Sequence, residues 1–146
     1  MTVQLALRKN DTRLMARGIQ WWTNSIYSHC ELVVDGMCYS SSAMDKGVRR
    51  KTITLDPAKW DVIDLPWADA DRVLRYFHAT RKHNYGWASL LTSQLLNLNR
   101  EVGEAPFCSQ WCAEALGLPN PVTYGPRTLG ELCTYISGQA YCPALA

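Results

Sequence analysis

Cys108 is the residue whose position best suits a nucleophile. It falls in the first turn of a stretch, 106–119, that reads as a short helix with a sharp start and a sharp stop. Pro106 and Phe107 frame the entry, and Gly117 with Pro119 closes it. Unpaired backbone N–H groups and the positive end of the helix dipole gather in a first turn. A thiol placed there ionises more easily, and the thiolate is the reactive form. Such a nucleophile needs a base, and the base needs an orienter. Of the three histidines, His78 and His83 lie on or near a helical stretch rich in Arg and Lys, and they read as a helix-face residue and a solvated helix end. His29 opens a strand-like run, with Ser28 before it and apolar residues behind. A strand histidine by itself is more often structural than catalytic, but Glu31 lies two residues on. Alternate strand residues share a face with Cβ atoms roughly 7 Å apart. A glutamate spans that gap and can hold one imidazole nitrogen while the other faces a thiol. The bland alternative for Glu31 is a solvated strand carboxylate.

The elements that must position these groups follow from periodicity. Residues 3–7 read as a first strand. Asn10 and Asp11 are good helix caps, and Leu14, Met15, Ile19 and Trp22 follow at helical spacing. The Trp21–Trp22 pair reads as core plus groove wall. The run from Ser28 ends at Asp35-Gly36, the strongest short hairpin signal, and 37–42 returns antiparallel. Residues 47–55 continue the sheet, and 60–65 alternate as a half-buried strand does. The second half is helical: 68–82 through Val73, Leu74 and Phe77; 87–98 through Leu90, Leu91, Leu95 and Leu98; the Cys108 helix; and a last helix opened by Pro126 and running through Leu129, Leu132, Cys133 and Ile136. Strands grouped first and helices grouped after predict an α+β fold, a small antiparallel sheet packed against helices, in one domain over 1–146.

Composition narrows the function. A chain of 146 residues with 47% apolar and 19% charged residues can build a real core. A net charge of +2 gives no warrant for nucleic-acid binding. No run of about 18 apolar residues predicts a membrane span. The N-terminus lacks the basic-then-apolar order of a secretory signal. The expectation is therefore synthesis in the cytoplasm, with any cell-wall target reached through a phage or a secretion apparatus. None of the six cysteines forms a Cys-x-x-Cys, so the usual zinc spacing is missing and neither metal nor cofactor is implied. Cys112 shares its helix face with Ala115 and Leu116 and reads as a small core residue. Cys30 and Cys38 lie on neighbouring strands within pairing distance, and reduced, buried thiols are the preferred reading.

Five short segments in order carry a resemblance: Tyr27-Ser28-His29 with its hairpin, Gly47-Val48-Arg49, Asn84-Tyr85-Gly86-Trp87, Phe107-Cys108-Ser109-Gln110 and Gly125-Pro126-Arg127-Thr128-Leu129. The chain resembles the circularly permuted branch of the NlpC-type, papain-like cysteine peptidases, in which the histidine strand precedes the cysteine helix. The resemblance implies that Cys108 attacks an amide or thioester, that His29 is its base, and that Tyr85, Gln110 and Trp22 lie at the substrate. Three positions depart from the branch. Gln110 stands where a glutamate is common, Gly86 where an aspartate is common, and Ser40, Ser41 and Ser42 where a strand glutamate often supplies the third polar group. Glu31 is the expected orienter, with Ser41 as the alternative. The implied substrate is a peptide amide of bacterial cell-wall peptidoglycan, and Arg49, Arg50 and Lys51 read either as attractors of stem-peptide carboxylates or as a solvated charge run. Two other classes stay open: an acyl-thioester or lipid hydrolase or acyltransferase using the same thiol, and a non-enzymatic phage or adaptor module with an idle site.

Overall fold

The computed structural model describes residues 1–9, 25–42, 45, 47–81 and 106–138, the last stretch without the side chains of Pro106 and Phe107. Alternation builds the sheet. In β1 (Val3–Lys9), Val3, Leu5 and Leu7 face one way and Ala6 the other. In β2 (Tyr27–Val34), Cys30, Leu32 and Val34 join the first set and Val33 the second. β3 (Met37–Ser42), β4 (Gly47–Lys51) and β5 (Trp60–Asp64) complete five antiparallel strands in the order β4-β3-β2-β1-β5. Asp35 (φ 47°) and Gly36 (φ 81°) both adopt the left-handed backbone that a two-residue hairpin needs, and they set Val34 opposite Met37. The Asp35 carboxylate also accepts from the Thr2 backbone N–H at 2.8 Å, which fixes the turn to the start of β1.

The expected strand over 47–55 stops at Lys51. Lys51 lies opposite Cys38, and β3 has one residue, Met37, before the hairpin, so the ladder runs out. Ile53 and Leu55 instead pack against the smaller cluster of Ala6, Val33, Cys38 and Trp60 on one face of the sheet.

The other face carries the helices. The expected helix over 68–82 is α1 (Ala70–Thr80), whose Asp69 side chain caps the backbone N–H groups of Asp71 and Arg72. It buries Val73 and Phe77, with Phe77 edge-on to Tyr39 of β3 at 5.0 Å between ring centroids. α2 (Pro106–Leu116) is the cysteine helix. Cys108, Ser109, Trp111, Cys112, Ala113 and Ala115 are all buried, as in a helix covered on more than one side. Its end is a Schellman motif: Leu118 N–H bonds Ala113 C=O at 2.9 Å, and Gly117 N–H bonds Glu114 C=O at 3.0 Å, with Gly117 at φ 76°. Arg72 of α1 donates to the last carbonyls, at 3.2 Å to Ala115, so a cation sits on the negative end of the dipole. A short 3-10 turn (Pro121–Thr123) leads to α3 (Pro126–Ile136), where the Thr128 hydroxyl takes the Gly125 backbone N–H. α3 lies close on β1 at Gly130, where an added Cβ would meet Leu7 Cδ1 at 2.5 Å. The helices expected over 10–23 and 87–98 lie outside the described residues.

Candidate functional site

β2 and α2 bring the expected pair together. The β2–β3 ladder runs from Leu32↔Tyr39 to Val34↔Met37, and beyond it β3 holds β2 through the Ser40 hydroxyl, which donates to the Cys30 carbonyl at 2.8 Å. Cys108, in the first turn of α2, meets the first half of β2: its sulfur lies beside the His29 imidazole and the Cys30 thiol, near enough for both to act on its ionisation. The His29 side chain keeps 21% of its surface exposed, while Cys108 is buried.

His29 and Glu31 share one side of β2, as their spacing predicts. His29 Nε2 lies 2.8 Å from Glu31 Oε1, so Nδ1 is the ring nitrogen that Glu31 does not hold. Glu31, not Ser41, is therefore the group on the ring; Ser41 pairs with Val48 in the β3–β4 ladder. Glu31 is fully buried, and no solvent reaches the carboxylate. Its second partner is Arg49 on β4, which spans β3 to reach it. Arg49 donates through Nη1 to Oε2 at 2.9 Å and through Nη2 to Oε1 at 2.6 Å, a bidentate clamp. Arg49 Nε then donates to Asp45 Oδ2 at 2.7 Å, and Asp45 also holds Lys51. The expected solvated charge run is thus divided: Arg50 and Lys51 are exposed, while Arg49 turns inward to Glu31.

Electrostatics separate Cys108 from the other buried thiols. Burial pushes Cys30 and Cys38 up, and Cys133 up to about 12. Cys108 goes the other way, well below its ordinary value. The hydrogen bond from Cys30 is the largest cause; it outweighs burial and is joined by the charge and hydrogen bond of His29. For His29 burial works against the charge, but the Cys108 thiolate and then Glu31 outweigh it and raise the imidazole from 6.5 to about 10. Both shifts favour the thiolate–imidazolium form of the pair.

Cys30 is thus a neighbour of the nucleophile and not a partner of Cys38. Its thiol also lies 3.8 Å from Cys112, one turn along α2. Cys30 and Cys38 fall in clusters on opposite faces of the sheet, and Cys30, Cys38, Cys108, Cys112 and Cys133 are all free thiols. The Gln110 amide donates to Glu114 Oε1 on its own helix at 3.0 Å, where Tyr76 of α1 bonds the other oxygen. Trp22 and Tyr85 lie outside the described residues, as does Cys142. Among the described residues no cluster of three or more His, Cys, Asp or Glu side chains could hold a metal ion, and no helix is long and apolar enough to cross a membrane.

Sequence reasoning missed Arg49 and Cys30. A signal that Glu31 needs a partner was present, since it leads into Leu32-Val33-Val34 and a buried carboxylate must be paired, but nothing in that stretch singles out Arg49. Compared with known protein families, curated proteins and solved structures, the chain finds no match.

Proposed function

We propose that the chain is a cysteine hydrolase of papain-like, circularly permuted NlpC-type architecture that cleaves peptide amide bonds of bacterial cell-wall peptidoglycan. The observation that carries the reading is Cys108 at the start of α2 beside an imidazole whose Nε2 is held by a buried carboxylate, with the thiol shifted down and the imidazole up. The substrate class rests on the resemblance of the five short segments.

The chemistry follows from the charges. With the sulfur in its thiolate form, no base is needed for attack. Cys108 Sγ adds to the amide carbonyl carbon. The oxyanion so formed is met by backbone N–H groups of the first turn of α2, which have no partner within the helix. His29 gives its proton to the leaving nitrogen, the C–N bond breaks, and the acyl group stays on Cys108 as a thioester. Neutral His29 then takes a proton from water, the hydroxide adds to the thioester carbon, and the thiolate leaves with the acid released.

Purified protein incubated with peptidoglycan should release fragments whose masses fit amide hydrolysis. Cys108→Ala, folded by circular dichroism, should release none. Undiminished release by Cys108→Ala removes the thiol mechanism. Turnover of acyl thioesters with intact peptidoglycan keeps the mechanism and replaces the substrate.

A further inference from the structure

We propose that Arg49 is a positioning residue that acts on the Cys108–His29 pair by clamping Glu31, and not a receptor for the carboxylates of a substrate. The proposal rests on the site reading above and adds a residue to it.

The geometry is a chain of alternating charge running inward from the surface. Lys51 holds Asp45, Asp45 holds Arg49 Nε, Arg49 clamps Glu31, Glu31 holds His29 Nε2, and His29 faces Cys108. Each donor of the Arg49 guanidinium named here is taken by a carboxylate of this chain. Its side chain is 15% exposed, against 50% for Lys51. A planar fork on both oxygens fixes the plane of a carboxylate as well as its position. Glu31 Oε1 is shared between Arg49 Nη2 at 2.6 Å and His29 Nε2 at 2.8 Å, so fixing that oxygen fixes the ring. A ring held through Nε2 keeps its place beside the sulfur. A ring released from Glu31 is free to turn, and the thiolate loses its cation. Among the described residues, this network also meets Arg8, opposite His29 on β1, the Cys30 thiol beside Cys108, and the Cys38 thiol near Glu31 and Arg49.

The test is the alkylation rate of Cys108 at pH 7, read by mass spectrometry with neutral iodoacetamide and anionic iodoacetate. It needs no substrate. Arg49→Met should slow both reagents by the same factor, about tenfold, whereas in a His29→Ala background it should slow them less than about twofold, because a residue acting through His29 has nothing left to act on. Arg49→Lys supplies the charge without the fork and should fall between wild type and Arg49→Met; it carries the same cycle if Arg49→Met does not fold. Slowing of iodoacetate alone makes Arg49 an anion receptor and overturns the proposal. Equal slowing in the wild-type and His29→Ala backgrounds overturns it too, since Arg49 then supports the fold at large. If wild-type Cys108 alkylates like free cysteine and ignores His29→Ala, the site reading itself falls, whatever Arg49 does.

Discussion

At the scale of single residues, the largest single cause of the lowered Cys108 value is the hydrogen bond from Cys30, with the charge and hydrogen bond of His29 beside it. A neutral thiol is an unusual support for a thiolate, because two thiols at one place compete to stay protonated. Here the His29 imidazole settles the contest: it lowers Cys108 and does not act on Cys30, which burial pushes up, so Cys30 keeps its proton and donates it toward Cys108. Removing that donor should raise the Cys108 pKa. A hydrogen bond to a charged group is worth roughly 1.5–3 kcal/mol, so Cys30→Ala should move the acid limb of the alkylation profile up by about one to two pH units. Cys30→Ser keeps a donor on a shorter bond and should move it less. An unchanged limb in Cys30→Ala would show that His29 alone holds the thiolate.

At the scale of elements, the site depends on how α2 is held at both ends. Its far end is fixed by Gly117, whose left-handed backbone completes the Schellman motif and whose lack of a side chain admits Arg72. An added Cβ would meet the Arg72 guanidinium at 2.7 Å, and that group can swing away. The backbone cannot relax so easily. Gly117→Ala should therefore cost about 1–2 kcal/mol, a Tm drop of roughly 2–8 °C for a chain of this size, read by thermal melting. A Tm within a degree of wild type would mean that the helix end carries no strain. Both ends of this helix were legible in the sequence, because Pro106, Gly117 and Pro119 act locally. The Asp35-Gly36 hairpin was legible for the same reason, and so was the shared side of His29 and Glu31, which follows from the two-residue period alone. Arg49 was not legible as the clamp on Glu31. That contact depends on two ladder registers, Ser40 opposite Arg49 and Val33 opposite Cys38, and periodicity leaves register open. Cys30 beside Cys108 was hidden for a different reason: it depends on where a helix docks on a sheet, and neither element encodes that alone.

At the scale of the whole molecule, folding tightens the hold of His29 on its proton and loosens that of Cys108, and the two shifts have a stability signature. In the unfolded chain His29 titrates at 6.5 and Cys108 at 9. His29 is raised on folding, so its contribution is fully present below 6.5 and is lost as pH rises through about 10. Cys108 is lowered, so its contribution is fully present above 9 and is lost as pH falls toward its folded value. Between 6.5 and 9 the two slopes oppose each other. Wherever folded Cys108 is ionised in that range, unfolded chains hold one proton, on sulfur, and folded chains hold one, on nitrogen, so the pair adds no pH dependence there. Above 9 the unfolded chain holds neither proton while folded His29 keeps its own to about 10. Stability should fall there by about 1.4 kcal/mol per pH unit. Below 6.5 the unfolded chain binds a second proton, and stability falls again for as long as folded Cys108 stays ionised. Urea unfolding across pH, taken as wild type minus the His29→Ala/Cys108→Ala double variant, should therefore trace a plateau with a falling edge on either side. A difference that stays level past pH 9 would mean that folding leaves the imidazole no tighter a hold on its proton than it has in the open chain.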